Sequence, residues 1–374
     1  MILSKLTSLF TGGGGRAVGI DIGSSTIKVV QIRKERGTIV LETYGSLAIG
    51  PYTEGAEIGQ QANASEEVIV TVLETLMKES KVREGVACVS IPFHASLISL
   101  IEVPPLSDEK MAQVIPFEAR RYVPVPLEEV SMDWFVIPQA LLERDDASIF
   151  QEDNEKPQTP GEEKRKVLII AIHNHELMKY RNILGKTDLK VTSFEVEIFS
   201  TLRSSVYESH LPIIVIDIGA RTTKFYIIEH GIVLRSFFIN QGGQTITKAI
   251  MSNEGISFKE AEHKKREHGF SLPNKDSQRV VALVIDEIFS EANSAIIDFE
   301  QRYRQSVSKM ILTGGGAVME GMLEEAKKKT NISVEIANPF GRMQYPALLA
   351  DSLKKNGSEF SVAVGAAIRA LEGR

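Results

Sequence analysis

The sequence holds one cysteine, Cys88, so no disulfide can form within the chain. Cys88 sits in an apolar run, residues 86–89, and is expected to pack as a small core residue. There is no stretch of about 18 consecutive apolar residues and no secretory leader, which excludes a membrane span on this reading and points to the cytoplasm. Basic excess is also lacking. With a net charge of −6 the chain is not built to neutralise nucleic-acid phosphates as a general partner, although a local basic patch stays open. His173, His175, His210, His230, His263 and His268 show no zinc-ligand spacing with Cys88 or with one another, and the close pair His173 and His175 reads as structural. The glycine-rich segments do not spell G-x-G-x-x-G, which sets a dinucleotide fold aside. What remains is ordinary globular composition: 374 residues, 43% hydrophobic and 25% charged, enough for two domains with real cores.

Against that background, one short pattern occurs twice. The first copy is Gly19-Ile20-Asp21-Ile22-Gly23-Ser24-Ser25-Thr26, and the second is Asp217-Ile218-Gly219-Ala220-Arg221-Thr222-Thr223. Each follows an apolar run (residues 17–20 and 212–216) and leads into a β-rich run (27–32 and 224–228). The pattern predicts a strand, a tight glycine turn and a returning strand. Such a turn offers backbone N–H groups and hydroxyls beside a strand-end carboxylate. Phosphate oxygens fit that nest of donors, and the aspartate is placed for a hydrated magnesium ion. Two such turns facing each other make a clamp for a polyphosphate.

Along the chain, residues 1–10 place Ile2, Leu3, Leu6, Leu9 and Phe10 at helical spacing before a glycine tether at 12–15. They are either a frayed terminus or a weak docking helix for a membrane surface or a partner, too short to anchor alone. A third strand is expected after Gly37. A helix capped by Ser65 runs to about Lys81, and a buried strand spans 86–91. A segment of different character follows: a strand near 97–103, a helix over 107–122 kinked by Pro116, and strands at 131–137 and 167–172. Residues 143–166 are polar and read as a mobile loop or hairpin tip. A helix is expected at 176–184. The second half repeats the hairpin and continues through Gly242-Gly243, a charged helix at 258–268, a long helix near 280–305, and Thr313-Gly314-Gly315-Gly316. The chain therefore divides into a flexible segment 1–15, a first core unit from 16–85 and 190–210, an inserted unit 86–189, and a second core unit 211–374 with a lobe around 244–280. Two pseudo-repeated halves imply one α/β fold built twice around a cleft.

These motifs together resemble the superfamily of actin, heat-shock chaperones and sugar kinases. The resemblance implies a duplicated RNase H-like, actin-like two-domain fold in which two hairpins grip the phosphates of ATP. Asp21, Gly23, Ser24, Ser25 and Thr26 match its first hairpin, and Asp217, Gly219, Thr222 and Thr223 its second. Gly242 and Gly243 match the following turn, Gly314, Gly315 and Gly316 the adenosine loop, and Glu262 with Lys265 the helix that holds ribose and adenine. Glu262 and Lys265 share one side of a helix and equally fit a solvated, salt-bridged face. The inserted strand–helix–strand–strand unit resembles FtsA-like proteins. More closely, Val103-Pro104-Pro105-Leu106, the run from Phe117 to Pro126, Asn338-Pro339-Phe340 and the run from Phe360 to Arg369 resemble the PilM family of type IV pilus assembly over nearly the whole chain.

In such a site Asp21 and Asp217 would hold Mg2+ through waters. Hydrolysis would need a group that orients water, and the candidates are Glu195 and Glu197, expected on one strand face. Glu197 is favoured as the catalytic residue, with helix capping as the alternative for both. Lys28 reaches a phosphate or pairs with a carboxylate. Arg221 adds charge at the phosphates or points outward.

The PilM resemblance implies an ATP-binding adaptor, peripheral to the inner face of the inner membrane through its partners. It would take the N-terminal cytoplasmic peptide of a PilN-type membrane protein in a groove between the first core unit and the inserted one, and would help link pilus motor ATPases to the membrane complex in twitching motility. The strand edge near 88–91 and the helix residues Ile115, Ala119 and Tyr122 are the groove candidates, with core packing as the alternative. ATP hydrolysis is expected to be weak or partner-dependent. Self-association stays open. A filament-forming protein like FtsA is less favoured, because the sequence ends at Arg374 without an amphipathic tail. A sugar or acid kinase is less favoured still, for want of a recognisable acceptor-site carboxylate.

Overall fold

The computed structural model describes residues 15–104, 106–138, 164–207 and 211–373. The expectations for residues 1–10, and for all but the last few residues of 143–166, fall outside those residues.

The first repeat forms β1 (Arg16–Ile22) and β2 (Thr26–Glu35), and β3 (Thr38–Ala48) returns alongside. Helix α1 (Glu66–Glu79) is capped as expected, with the Ser65 side chain accepting from the Val68 N–H. β4 (Val86–Ile91) follows. The inserted unit is β5 (Ser96–Val103), α2 (Asp108–Ala119), β6 (Val130–Val136) and β7 (Arg165–His173), the expected strand–helix–strand–strand order. The chain returns through α3 (Asn174–Gly185), β8 (Lys190–Val196) and α4 (Glu197–Ser205). The second repeat opens with β9 (Ile213–Ile218), β10 (Thr223–Glu229) and β11 (Ile232–Ile239). Then come α5 (Gly243–Glu254), α6 (Phe258–His268), α7 (Lys275–Tyr303), β12 (Lys309–Thr313), α8 (Met322–Lys329), β13 (Ser333–Ile336), β14 (Met343–Gln344), α9 (Ala350–Asn356) and α10 (Ser361–Glu372).

The duplication is explicit in the sheets. One runs β3-β2-β1-β4-β8 with β14 added at its edge, and the other runs β11-β10-β9-β12-β13. In each, the hairpin strands are antiparallel and the next two strands are parallel. A third sheet, β5-β7-β6, belongs to the inserted unit. Because Cys88 and Val89 pair with β1 on one side and β8 on the other, they are central and not part of the strand edge expected there, while Ser90 and Ile91 pair with β8 alone. Ile115 and Ala119 are likewise fully buried against the third sheet, so core packing accounts for them, whereas Tyr122 is exposed.

Apolar packing explains the layers. Helices α1 and α3 cover one face of the first sheet with Val72, Leu73, Tyr180 and Ile183, and α10 covers the other with Ala363, Val364 and Ala367. That last helix lies within residues 211–374 yet packs on β1, β4 and α4 of the first half. It comes close because Gly19 faces it. A β-carbon on Gly19 would stand 1.9 Å from the Ala363 carbonyl oxygen, and one on Gly365 would stand 1.8 Å from that of Ser200. Helix α7 buries Ile285, Phe289 and Phe299 against the second sheet. Among the described residues, no helix is long and apolar enough to cross a membrane.

Candidate functional site at the paired hairpins

The two turns are built alike. The Gly23 N–H donates to the Thr26 carbonyl at 3.1 Å, and the Gly219 N–H to the Thr222 carbonyl at 3.0 Å. In both hairpins the register sets an aspartate opposite a lysine, Asp21 with Lys28 and Asp217 with Lys224. Lys28 Nζ lies 3.6 Å from Asp21 Oδ2, and Lys224 Nζ 3.1 Å from Asp217 Oδ2. Both aspartates are buried at the strand ends. Ser90 Oγ–H donates to Asp21 Oδ1 at 3.3 Å. Lys224 is absent from the residues selected on sequence, although the repeat signals it: the lysine follows the aspartate at the same interval in both copies.

Glu195 and Glu197 part company. Glu195 lies within β8, but Glu197 is the first residue of α4, so the helical turn redirects its side chain and the expected common strand face does not form. Glu195 takes two guanidinium hydrogen bonds from Arg203, at 2.6 and 2.7 Å, and one from Ser200 Oγ at 2.6 Å. Glu197 faces the second hairpin instead. Its Oε1 accepts from the Phe93 N–H at 2.7 Å, and its Oε2 from Lys224 Nζ at 2.7 Å. Burial holds the Glu197 carboxyl above the ordinary carboxylate range, and the Asp217 charge adds to this against the pull of Lys224. Burial alone would discharge Lys224, but Asp217 and Glu197 outweigh it and hold the ammonium charged to well above its usual range.

The start of α5 buttresses the second turn. The Gly243 N–H donates to the Gly219 carbonyl at 2.9 Å, and the Gln244 N–H to that of Ala220 at 2.8 Å. Gly242 precedes this contact as the helix N-cap. Thr223 is fully buried, and its hydroxyl donates to the Gln241 carbonyl at 2.8 Å, tying β10 to the same segment. By contrast, the hydroxyls of Ser24, Ser25, Thr26 and Thr222 make no hydrogen bond among the described residues, which suits donors reserved for a ligand.

Glu262 and Lys265 meet beside this turn. Lys265 Nζ donates to Glu262 Oε2 at 2.6 Å, to Thr247 Oγ1 at 2.9 Å and to the Gly243 carbonyl at 3.1 Å. Glu262 also accepts from Thr247 Oγ1 at 2.6 Å and Arg266 Nε at 2.7 Å. Burial would raise its carboxyl, but Lys265 leads the opposing contacts and the net direction is downward. Gly59, from the segment between β3 and α1, touches both features. Its carbonyl accepts from Gln244 Nε2 at 3.1 Å, and a β-carbon there would lie 3.0 Å from the Glu262 carboxyl. Gly59 and Gln244 carry no sequence motif.

The last loop closes on Asp217. Gly314 has a φ of 84°, and a β-carbon on it would lie 2.4 Å from Asp217 Oδ1, so glycine is required there on both counts. The Gly316 N–H donates to the Ile218 carbonyl at 2.8 Å. Gly315, between them, has nothing within 4 Å of where its β-carbon would project, which leaves backbone open to a ligand. Thus the second hairpin with Gly242 and Gly243, the pair Glu262 and Lys265, and the Gly314 loop are linked by direct contacts, with Glu197 joined through Lys224; the first hairpin meets the segment that carries Gly59, where the Ala62 N–H donates to the Ser24 carbonyl at 3.4 Å. His94, beside Phe93, lies in the field of Arg221 and Lys224, and partial burial is the leading cause holding its imidazole below the ordinary range. Among the described residues no three His, Cys, Asp or Glu side chains gather into a metal shell.

A family model described as type IV pilus assembly protein PilM matches residues 19–371. The cell division protein FtsA of Rhizobium meliloti is 25% identical over 220 residues, 52% of this chain and 48% of FtsA. FtsA of Escherichia coli is 26% identical over 208 residues, 46% of this chain and 49% of FtsA. The chain spans about half the length of the curated relatives it matches. Among solved structures, the PilM-PilN type IV pilus biogenesis complex superposes with a TM-score of 0.76 at 21% identity, over 95% of this chain and 98% of that one. The ethanolamine utilization protein EutJ of Carboxydothermus hydrogenoformans gives 0.53 at 14% identity, over 96% and 91%. MreB 5 of Spiroplasma citri bound to AMPPNP gives 0.50 at 13% identity, over 96% of each. These likenesses show the fold: actin-like and duplicated, with an inserted unit of the FtsA type.

Proposed function

This chain belongs to the family of type IV pilus assembly protein PilM, and we propose from that premise that it is a nucleotide-dependent adaptor of pilus assembly. ATP is its ligand, held between the paired hairpins. The observation that carries this reading is the repeated turn, with the same closing hydrogen bond and the same Asp–Lys register in both halves. Ser24, Ser25, Thr26 and Thr222 supply hydroxyls to phosphate oxygens, Lys28 supplies a cation, and the turns supply amides. Asp21 and Asp217 hold magnesium through its waters, and that ion, when bound, offsets phosphate charge. Gly314, Gly315 and Gly316 let backbone approach the nucleoside, and Glu262 and Lys265 exchange part of their mutual pairing for ribose and base.

Glu197 is the candidate for water activation, but both its oxygens already accept hydrogen bonds, from Phe93 and Lys224. Its first role is therefore to hold Lys224, and turnover is slow. Phe93 opens the connection into β5, so a partner bound to the inserted unit can loosen this contact and change turnover. A coupling of about 1–3 kcal/mol is enough for such a switch. The partner proposed is the extended N-terminal peptide of a PilN-type inner-membrane protein, seated between the first core unit and the inserted one. Exposed Phe117 and Tyr122 at the end of α2 offer apolar contact there. Through that peptide the chain sits at the inner face of the inner membrane and links motor ATPases to the membrane complex.

The test is to load the full chain with Mg-ATP and follow the identity of the bound nucleotide over time, with Asp21→Ala as control. Retained ATP is the expected result and supports an adaptor. Steady conversion to ADP makes it a working ATPase, and no binding ends the nucleotide reading.

A further inference from the structure

The outer strand of the first sheet is only partly covered. β14 pairs with β3 at two positions, Met343 with Ile39 and Gln344 with Val40, and the chain then leaves the sheet. Beyond the bulge at Glu42, which the register with β2 skips, residues 43–48 of β3 pair with β2 on one side and, among the described residues, with nothing on the other. Sheets commonly blunt such an edge with lysine or proline. Residues 43–48, Thr-Tyr-Gly-Ser-Leu-Ala, contain neither.

Two clefts flank this edge, one on the face covered by α1 and the other on the face covered by α10. One, of about 630 Å³, lies where Val40 and Thr43 face Lys81, Arg83 and Tyr345. The other, of about 150 Å³, lies where Tyr44 and Gly45 face Asn356 and Glu359. Their charges differ. Glu42 is committed to Arg16 and Arg33, but Lys81 and Arg83 have no carboxylate partner among the described residues, and Glu359 has no cation. Among the described residues, the edge therefore carries two unpaired cations on its α1 face and an unpaired carboxylate on its α10 face.

We propose that residues 43–48 of β3 are a docking edge for an extended peptide of a partner protein. The peptide adds as a further strand, sets a carboxylate side chain against Lys81 and Arg83 on one face, and sets a basic side chain against Glu359 on the other, an odd number of residues away because successive strand side chains point to opposite faces. Backbone ladder bonds supply affinity and the two charges supply selection. This edge is separate from the partner face proposed above, because the inserted unit leaves from β4 and returns into β8 at the far side of the same sheet.

The test uses the full chain and short fluorescent peptides of alternating valine and threonine. One carries a glutamate and a lysine at that spacing. A second carries lysine at both positions, a third carries neither charge, and a fourth repeats the first with alternate amides N-methylated. The acid–base peptide is expected to give saturable anisotropy, weakened about tenfold by Lys81→Glu with Arg83→Glu and abolished by N-methylation. It is also expected to slow hydrogen exchange at the outward-facing amides among residues 43–48, a readout that needs no variant. Absence of saturable binding by every peptide up to about 1 mM overturns the proposal. So does equal binding of the N-methylated peptide, or affinity unchanged in the charge-reversed chain. Slow exchange in the free chain of those amides among residues 43–48 that point away from β2 also overturns it, because the edge is then already occupied from within.

Discussion

Lys224 Nζ stands 2.7 Å from Glu197 Oε2, joining the second hairpin to the helix that follows the first sheet. With Asp217 Oδ2 at 3.1 Å, one ammonium serves two buried carboxylates. Replacing Lys224 with methionine leaves both uncompensated, and breaking a buried pair in this way costs about 3–5 kcal/mol. Urea denaturation should show that loss for Lys224→Met. Adding Glu197→Gln to it should recover a substantial part, because one orphaned charge is removed. A double variant no more stable than Lys224→Met would mean that the pair is not coupled.

The same pair sets a pH dependence of unusual sign. Burial leads the causes that hold the folded Glu197 carboxyl above its ordinary value of 4.5. A group with a raised folded pKa contributes its stability fully below the unfolded value and loses it as pH rises through the folded one. The wild-type chain should therefore lose stability relative to Glu197→Gln as pH climbs from 4.5 towards neutrality. Urea midpoints of the two proteins across that window measure it, and a pH-independent difference would refute the raised pKa.

Much of this was legible in the sequence where the local pattern was strong. The hairpins, the Ser65 cap and the strand–helix–strand–strand insertion each follow from short-range signals: glycine turns, a capping serine and apolar periodicity. Long-range pairing was less legible. Nothing local marks β4 as a central strand, and that pairing removes the strand edge expected at residues 88 and 89. The fate of Glu195 and Glu197 turned on a single residue, because the chain changes from strand to helix at Val196 and the period changes with it. Gly59 and Gln244 were invisible because their role exists only where the two halves meet.

Glu195 answers a different purpose from Glu197, and Cys88 reports it. Burial, followed by the Glu195 charge, pushes the Cys88 thiol up to about 12. It should resist alkylation in the native chain and react once unfolded. Arg203→Met strips Glu195 of both guanidinium bonds and should cost about 3–5 kcal/mol. Nucleotide retention by the fraction still folded should be unchanged. Loss of nucleotide at full folding would tie Glu195 to the site after all.

The contact between Gly59 and Gln244 sets how the halves close. Gly59 belongs to the first half, and its carbonyl is held by a side chain one residue beyond Gly243, whose own carbonyl is held by Lys265. Lys265 in turn pairs with Glu262, which packs on Gly59. The cycle is closed: Gly59, Gln244, Gly243, Lys265, Glu262 and back. Loosening one member should loosen the grip of both halves on a nucleotide, without unfolding either core. Gln244→Ala removes one neutral hydrogen bond, about 0.5–1.5 kcal/mol, which is about two- to tenfold in release rate if the bond is intact only when the halves are closed. Gly59→Ala should do at least as much, since it adds strain at a φ of 84° and a contact with the Glu262 carboxyl at 3.0 Å. Stopped-flow release of a fluorescent ATP analogue measures both, and hydrogen exchange over residues 57–62 should rise in parallel. Faster exchange with unchanged release would mean that this segment covers the second half without helping to hold a nucleotide.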